Sequence, residues 1–229
     1  MKKFGKKYQA ALAKIDQEKV YELEEAAALV KATSTTKFDS TVGVSFTLNV
    51  NPTLADQLIR GTISLPNGTG KTKVVLALTR GKQQEAKDAG ADFVGDVDLI
   101  EKIQKENWFA YDVIVCTPDM MGELGKMGRL LGPKGLMPNP KLGTVTADVA
   151  TAVKNAKAGE VQYRVEKNGI VHAGVAKASF SADQIYDNAK LFIDTIMKAK
   201  PASLKGTYLK KISISSTMGV GVRVDSNNL

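Results

Sequence analysis

Residues 125–143 read GKMGRLLGPKGLMPNPKLG, with five glycines, three prolines, four bases and no acid in nineteen positions. Their chemistry is that of a cationic, backbone-rich surface. Lys126, Arg129, Lys134 and Lys141 supply charge, and glycine lets a main chain approach phosphate closely. A polyanion is one reading; a long structural connection with its bases turned to solvent is the other. Glycine and proline at this density predict no helix here. No strand is predicted either, because Pro133, Pro138 and Pro140 would remove ladder hydrogen bonds.

Other candidates are smaller. Gly68-Thr69-Gly70-Lys71-Thr72 has the look of a phosphate-loop tail, but the required earlier glycine is replaced by Leu65, and an apolar run, 73–78, follows where a helix is needed. A turn or hinge accounts for these glycines. His172 is the only histidine and Cys116 the only thiol, so an ordinary His/Cys metal site cannot be assembled. Cys116 falls in an apolar strand, where a thiol is normally buried and inert. No framed Ser/His/Asp set and no GxSxG occurs. Catalysis has no foothold, and neither a metal nor a cofactor is expected.

Two short segments suit RNA. Lys37-Phe38-Asp39-Ser40-Thr41 sets an aromatic beside a base at the mouth of an alternating strand. Ser215-Ser216-Thr217-Met218-Gly219 sets hydroxyls, a thioether and a glycine at a strand junction. Hydroxyls and amides pair with 2′-hydroxyls and phosphates, while flat apolar groups lie on riboses or bases. The plain alternatives are a core role for Phe38 and an ordinary hairpin loop for residues 217–219. His172 would contact a phosphate or ribose, or cap a sheet face.

The elements that must position these residues follow from periodicity. Helical spacing marks 7–15 and 21–31, then Val42, Val44, Phe46, Leu48 and Val50 alternate as a strand, with a short further strand at Ile63 and Leu65. From 68 to 159 apolar runs at 73–78, 93–94 and 112–117 alternate with helical patterns at 82–89, 98–105 and 148–158, the order of a small parallel α/β layer. After 159 a hairpin turns at Asn168-Gly169, a helix covers 182–198, and strands occupy 211–215 and 220–224. Both ends share one style and the middle another. The expectation is therefore one discontinuous domain, 1–67 with 160–229, and an inserted domain, 68–159, joined by a two-stranded hinge.

Composition narrows the class. Over 229 residues, 43% hydrophobic and 24% charged content are those of a globular protein with room for two cores. The net charge is +8. Nineteen bases against thirteen acids lie on the two-ended part, and thirteen against eleven on 68–159. The polyanion footprint is thus expected on the two-ended domain. No apolar stretch approaches the roughly 20 residues that cross a bilayer. The start, MKKFGKKYQAALAKI, reads as a basic amphipathic helix rather than a signal peptide, since Lys14 and Asp16 interrupt its apolar part. The lone cysteine fits a reducing cytosol.

Residues 125–139 resemble the signature of the ribosomal protein L-one family, the first-numbered proteins of the large subunit. The segments LPNGTGK at 65–71, Lys37-Phe38-Asp39, His172 in the hairpin and Thr217-Met218-Gly219 fall in the order that family shows. The resemblance spans nearly the whole chain and is nearest to bacterial members. It implies a non-enzymatic, cytoplasmic, ribosome-bound protein, monomeric off the ribosome and without a membrane partner. Its discontinuous domain would bind 23S rRNA to form the mobile stalk beside the exit site, assist release of exit-site tRNA, and repress translation of its own operon mRNA. Carried over by position, the RNA contacts are Lys37, Phe38, Thr41, Thr217, Met218 and Gly219, with Lys167 and His172 on the hairpin. Lys126, Arg129, Lys134 and Lys141 would meet RNA or tRNA secondarily. The expected fold class is a discontinuous α+β domain, helices on a mainly antiparallel sheet, carrying an inserted Rossmann-like α/β domain of parallel strands. Rival classes are a nucleotide-binding α/β enzyme and a general nucleic-acid architectural protein.

Overall fold

The computed structural model describes residues 5–225, so positions 1–4 of the basic N-terminal stretch lie outside the described residues. The first arm holds α1 (Lys6–Leu12), α2 (Leu23–Ala32), β1 (Thr41–Leu48) and β2 (Arg60–Ile63). The middle holds β3 (Val75–Leu78), α3 (Gln83–Asp88), β4 (Phe93–Gly95), α4 (Val97–Glu106), β5 (Val113–Cys116), α5 (Met121–Lys126), α6 (Gly128–Leu131) and α7 (Val149–Lys157). The second arm holds β6 (Val161–Arg164), β7 (Ile170–Lys177), α8 (Ala182–Lys198), β8 (Leu209–Ser216) and β9 (Val222–Val224). Two compact units result, Met1–Gly70 with Val161–Leu229, and Lys71–Glu160.

The two-ended unit is built on an antiparallel sheet ordered β7-β1-β8-β9. Period-two alternation in β1 turns Val42, Val44, Phe46 and Leu48 inward, where all four are buried. Val50, expected as a fifth inward residue, falls beyond the strand: Asn49 N already donates to Tyr208 O, and the chain turns away through Asn51 and Pro52. Leu65 likewise is buried but lies outside β2, which pairs antiparallel with β6. That pairing joins the two arms.

Helices α2 and α8 pack against each other and cover the inner face of the sheet. Ser181 and Gln184 form a reciprocal capping box, which explains the sharp start of α8. Its buried stripe, Ile185, Ala189, Phe192, Ile193 and Ile196, repeats at helical spacing. Phe192 meets Phe46 edge-to-face at 5.2 Å, and each such burial contributes about 2–3 kcal/mol. One polar residue interrupts the stripe. Asn188 is fully buried, and its amide donates to Val175 O at 2.8 Å and Gly68 O at 3.0 Å while its carbonyl oxygen accepts from Asn67 N. Val175 sits where the β1–β7 register slips, so Asn188 satisfies a carbonyl that the ladder leaves over.

In the middle unit three parallel strands run in the order β4-β3-β5. Every residue of β3 and β5 is buried, as expected for a sheet covered on both faces. Val75, Ala77, Val113 and Val115 pack with α3 and α7, whereas Leu76, Leu78, Ile114 and Cys116 pack with α4, α5 and α6. Here the structure corrects the sequence reading of 125–143. Its first third is helical: α5 runs through Lys126 and α6 covers 128–131. The three prolines all lie after Leu131 and interrupt neither helix. Leu124, Met127 and Leu131 recur at helical spacing and are buried, so apolar periodicity outweighs glycine content. Beyond them the chain is irregular apart from a 3₁₀ turn at Pro140–Leu142 capped by the Asn139 side chain, with Gly135 and Gly143 at positive φ, until residues 144–146 hydrogen-bond to both sides of Cys116.

Candidate nucleic-acid interface

The face of the antiparallel sheet opposite α2 and α8 is assembled from the alternate residues of four strands. On β1 these are Thr41, Gly43, Ser45 and Thr47. Register sets Ser45 between His172 of β7 and Ser213 of β8, with Arg223 of β9 next in the row. The adjoining rows are Gly174, Gly43 and Ser215, then Ile170, Thr47 and Lys211. The result is a surface of glycine, hydroxyl, imidazole and basic groups with the aliphatic Ile170 at one edge, about 25 Å long at roughly 3.3 Å per residue. None of these four strands carries an acid.

At one end the surface is bounded by the two segments singled out from composition. Thr217 clamps the start of β1: its Oγ1 accepts from Thr41 N at 3.1 Å and donates to Thr41 O at 3.1 Å. Its hydroxyl proton is therefore used within the protein, and a lone pair remains for a ligand. The Thr41 hydroxyl accepts from Lys177 Nζ at 3.1 Å. Asp39, the nearest acid in the loop before β1, accepts from Ser179 N and Ser179 Oγ, both at 3.0 Å, which ties its carboxylate down. The core alternative for Phe38 fails, since the ring is 56% exposed. Met218 is 76% exposed and sits at φ +62°, a conformation that residues with a side chain rarely adopt. Gly219 N closes the turn on Ser216 O, and a Cβ on Gly219 would fall 2.2 Å from Ser216 Oγ.

His172 lies midway along the face. Its Nδ1 shares a 2.9 Å hydrogen bond with Ser45 Oγ, which orients the ring and leaves Nε2 toward solvent. The imidazole borders two hollows, one of about 370 Å³ reaching Thr41 and Thr217, the other of about 1020 Å³ lined by Arg164, Glu166, Lys167 and Asn168. Lys167 is exposed at the hairpin tip, where Gly169 adopts φ +72° and its carbonyl accepts from Leu48 N. The eight contacts expected from the resemblance thus fall on one unit: Lys37, Phe38, Thr41, Thr217, Met218 and Gly219 at one end, His172 in the middle and Lys167 at the other end.

Charge pairing separates the two units. Among the described residues, five of the six ion pairs lie in the middle unit, and the sixth joins Lys19 to Glu25. Lys37, Lys167, Lys211 and Arg223 are exposed and join none of them. By contrast Lys126 is neutralised by Glu123 at 2.7 Å, and Lys134 sits 4.2 Å above the Phe109 ring. Arg129 and Lys141 are exposed on the same unit. Cys116 is buried in β5 and its thiol is pushed up to about 12 by desolvation, so no thiolate forms near neutral pH.

Residues 30–220 match the family described as the ribosomal protein L1p/L10e family. The chain belongs to that family. It is 56% identical over 230 residues to the large ribosomal subunit protein uL1 of Macrococcus caseolyticus, covering 100% of this chain and 99% of the relative. It is 54% identical over 227 residues to the large ribosomal subunit protein uL1 of Mesoplasma florum, covering 99% and 100%. Both relatives are named as proteins of the large ribosomal subunit.

Sequence reasoning missed several residues of the face: Gly43, Ser45, Gly174, Ser213, Lys211 and Arg223. A signal was present. The outward positions of TVGVSFTL and LKKISISS are glycine, serine, threonine or lysine, where an exposed strand face ordinarily mixes acids with bases.

Proposed function

We propose that the two-ended unit binds a folded segment of 23S rRNA in the large ribosomal subunit, across the outer face of its sheet. A single observation carries this reading: the four strands of that face present unpaired bases and small hydroxyls and no acid, and Phe38 and Met218 are exposed at one end. Phosphates meet Lys37, Lys167, Lys211 and Arg223, while the glycine and serine rows let a sugar-phosphate chain come close. Phe38 and Met218 lie on ribose or base faces and exclude water. Because the surface carries few bidentate base readers, selection rests on the shape of the RNA more than on a base code.

On this reading the protein is a cytoplasmic, ribosome-bound, non-enzymatic component that forms the mobile stalk near the exit site and assists release of deacylated tRNA. It acts as a monomer off the ribosome and represses its own operon mRNA by presenting the same face to a similar RNA shape. Arg129 and Lys141 of the middle unit offer a secondary contact to RNA or tRNA, with Lys126 and Lys134 already engaged by Glu123 and Phe109. The test is filter binding of the full chain to a structured 23S transcript in competition with duplex DNA of equal length at moderate salt. Retention of the transcript against excess duplex is the expected result. Equal competition by the duplex would replace this reading with that of a general architectural protein.

A further inference from the structure

We propose that Met218 is a modification site for hydroperoxides, and that oxidation of its thioether to the sulfoxide in RNA-free protein keeps the outer face from taking up RNA. This rests on the RNA-binding reading above. The described methionines differ sharply in access. Met120 and Met127 are buried at 0% and 3% exposure, Met121 and Met137 are half-buried, Met197 is 44% exposed, and Met218 is 76% exposed. Met218 also stands at the tip of a tight turn at φ +62°, with Gly219 N bonded to Ser216 O at 2.8 Å, so the backbone holds the side chain out into solvent. Oxidation of methionine follows exposure.

The chemistry balances with hydrogen peroxide alone. A sulfur lone pair attacks one peroxide oxygen, the S–O bond forms as the O–O bond breaks, and the departing hydroxide takes up the remaining proton as water. Sulfur loses two electrons and peroxide gains them. The product carries a strong acceptor where an apolar group had excluded water. On a ribose or base face that the thioether had kept dry, the sulfoxide oxygen must give up its water, and a neighbouring phosphate oxygen has no proton to offer in exchange. Bound RNA covers Met218, so the modification acts on protein free of RNA. Methionine sulfoxide reductases restore the thioether, which makes the switch reversible.

The full chain is treated with hydrogen peroxide with and without the 23S transcript. Oxygen gained at Met218 and at Met197 is read by peptide mass spectrometry, and affinity is then measured by filter binding. The expected result is faster oxidation of Met218, shielding of Met218 but not Met197 by the transcript, and an affinity loss of about tenfold or more that the reductases reverse. The loss should persist in Met197→Leu and vanish in Met218→Leu, each compared with its own untreated affinity. Protein oxidised at Met218 that still binds within about twofold of the untreated chain overturns the proposal, as does a loss that persists in Met218→Leu. Untreated protein that fails to bind the transcript overturns the RNA reading itself.

Discussion

Substituting Met218→Gly should move stability and binding in opposite directions. Met218 is held at φ +62°, where a residue with a Cβ is strained by about 1–2 kcal/mol and glycine is not. Glycine also gives the unfolded chain more freedom, which costs about 0.4–1 kcal/mol. Since the side chain is 76% exposed, little burial is lost. The variant should therefore be more stable by about 0.5–1 kcal/mol. Binding should weaken. Removing the side chain beyond Cα takes away groups worth about 0.8 kcal/mol per CH₂ equivalent when desolvated, of which an interface recovers only part. A loss of about 2 kcal/mol, roughly 30-fold in Kd, is expected. Urea unfolding and filter binding to the 23S transcript at one salt concentration measure both quantities. A variant destabilised by more than about 1 kcal/mol, or one binding within about threefold of the parent, would refute the reasoning.

Replacing Lys211→Gln together with Arg223→Gln should lower the steepness of log K against log salt by about 1.5, close to one counterion for each phosphate no longer neutralised, with little change in the unfolding midpoint. Reduced affinity at an unchanged salt slope would show that neither base meets phosphate. Asp92 in the middle unit accepts from Val75 N at 2.7 Å and pairs with Lys157 at 2.6 Å, and the Lys157 hydrogen bond holds its carboxyl below the ordinary range. A depressed carboxylate stabilises the fold above the unfolded value of 3.8 and loses that stabilisation as pH falls through the lower folded value. With both side chains partly exposed, Asp92→Asn should cost about 1 kcal/mol or less at neutral pH, after discounting for solvent screening, and nothing in strong acid. Thermal melts at several pH values check this; a difference that does not shrink on acidification contradicts it.

Regular elements are legible wherever local pattern and burial agree. Helix α8 spans the 182–198 read from its apolar stripe because Ser181 and Gln184 cap its start. The parallel strands of the middle unit stand out as short apolar runs because both faces are covered. Residues 125–131 mislead because their glycine content masks the spacing of Leu124, Met127 and Leu131, and the tertiary core decides in favour of the spacing.

The amino-acid order by itself determined which residues alternate, where charge accumulates and which family the chain resembles, because these are properties of neighbours along the chain. Only the tertiary structure decided that Ser45 meets His172 across 127 residues and that Thr217 clamps Thr41 across 176. Strand register is a long-range choice made by the buried faces, and a shift of one residue would turn the whole polar surface inward. The same register lines up Ser45, Ser213 and Arg223, none of which is conspicuous in its own strand. Tertiary structure likewise left Phe38 and Met218 uncovered, since exposure depends on what the rest of the chain packs against and not on the apolar character of the side chain.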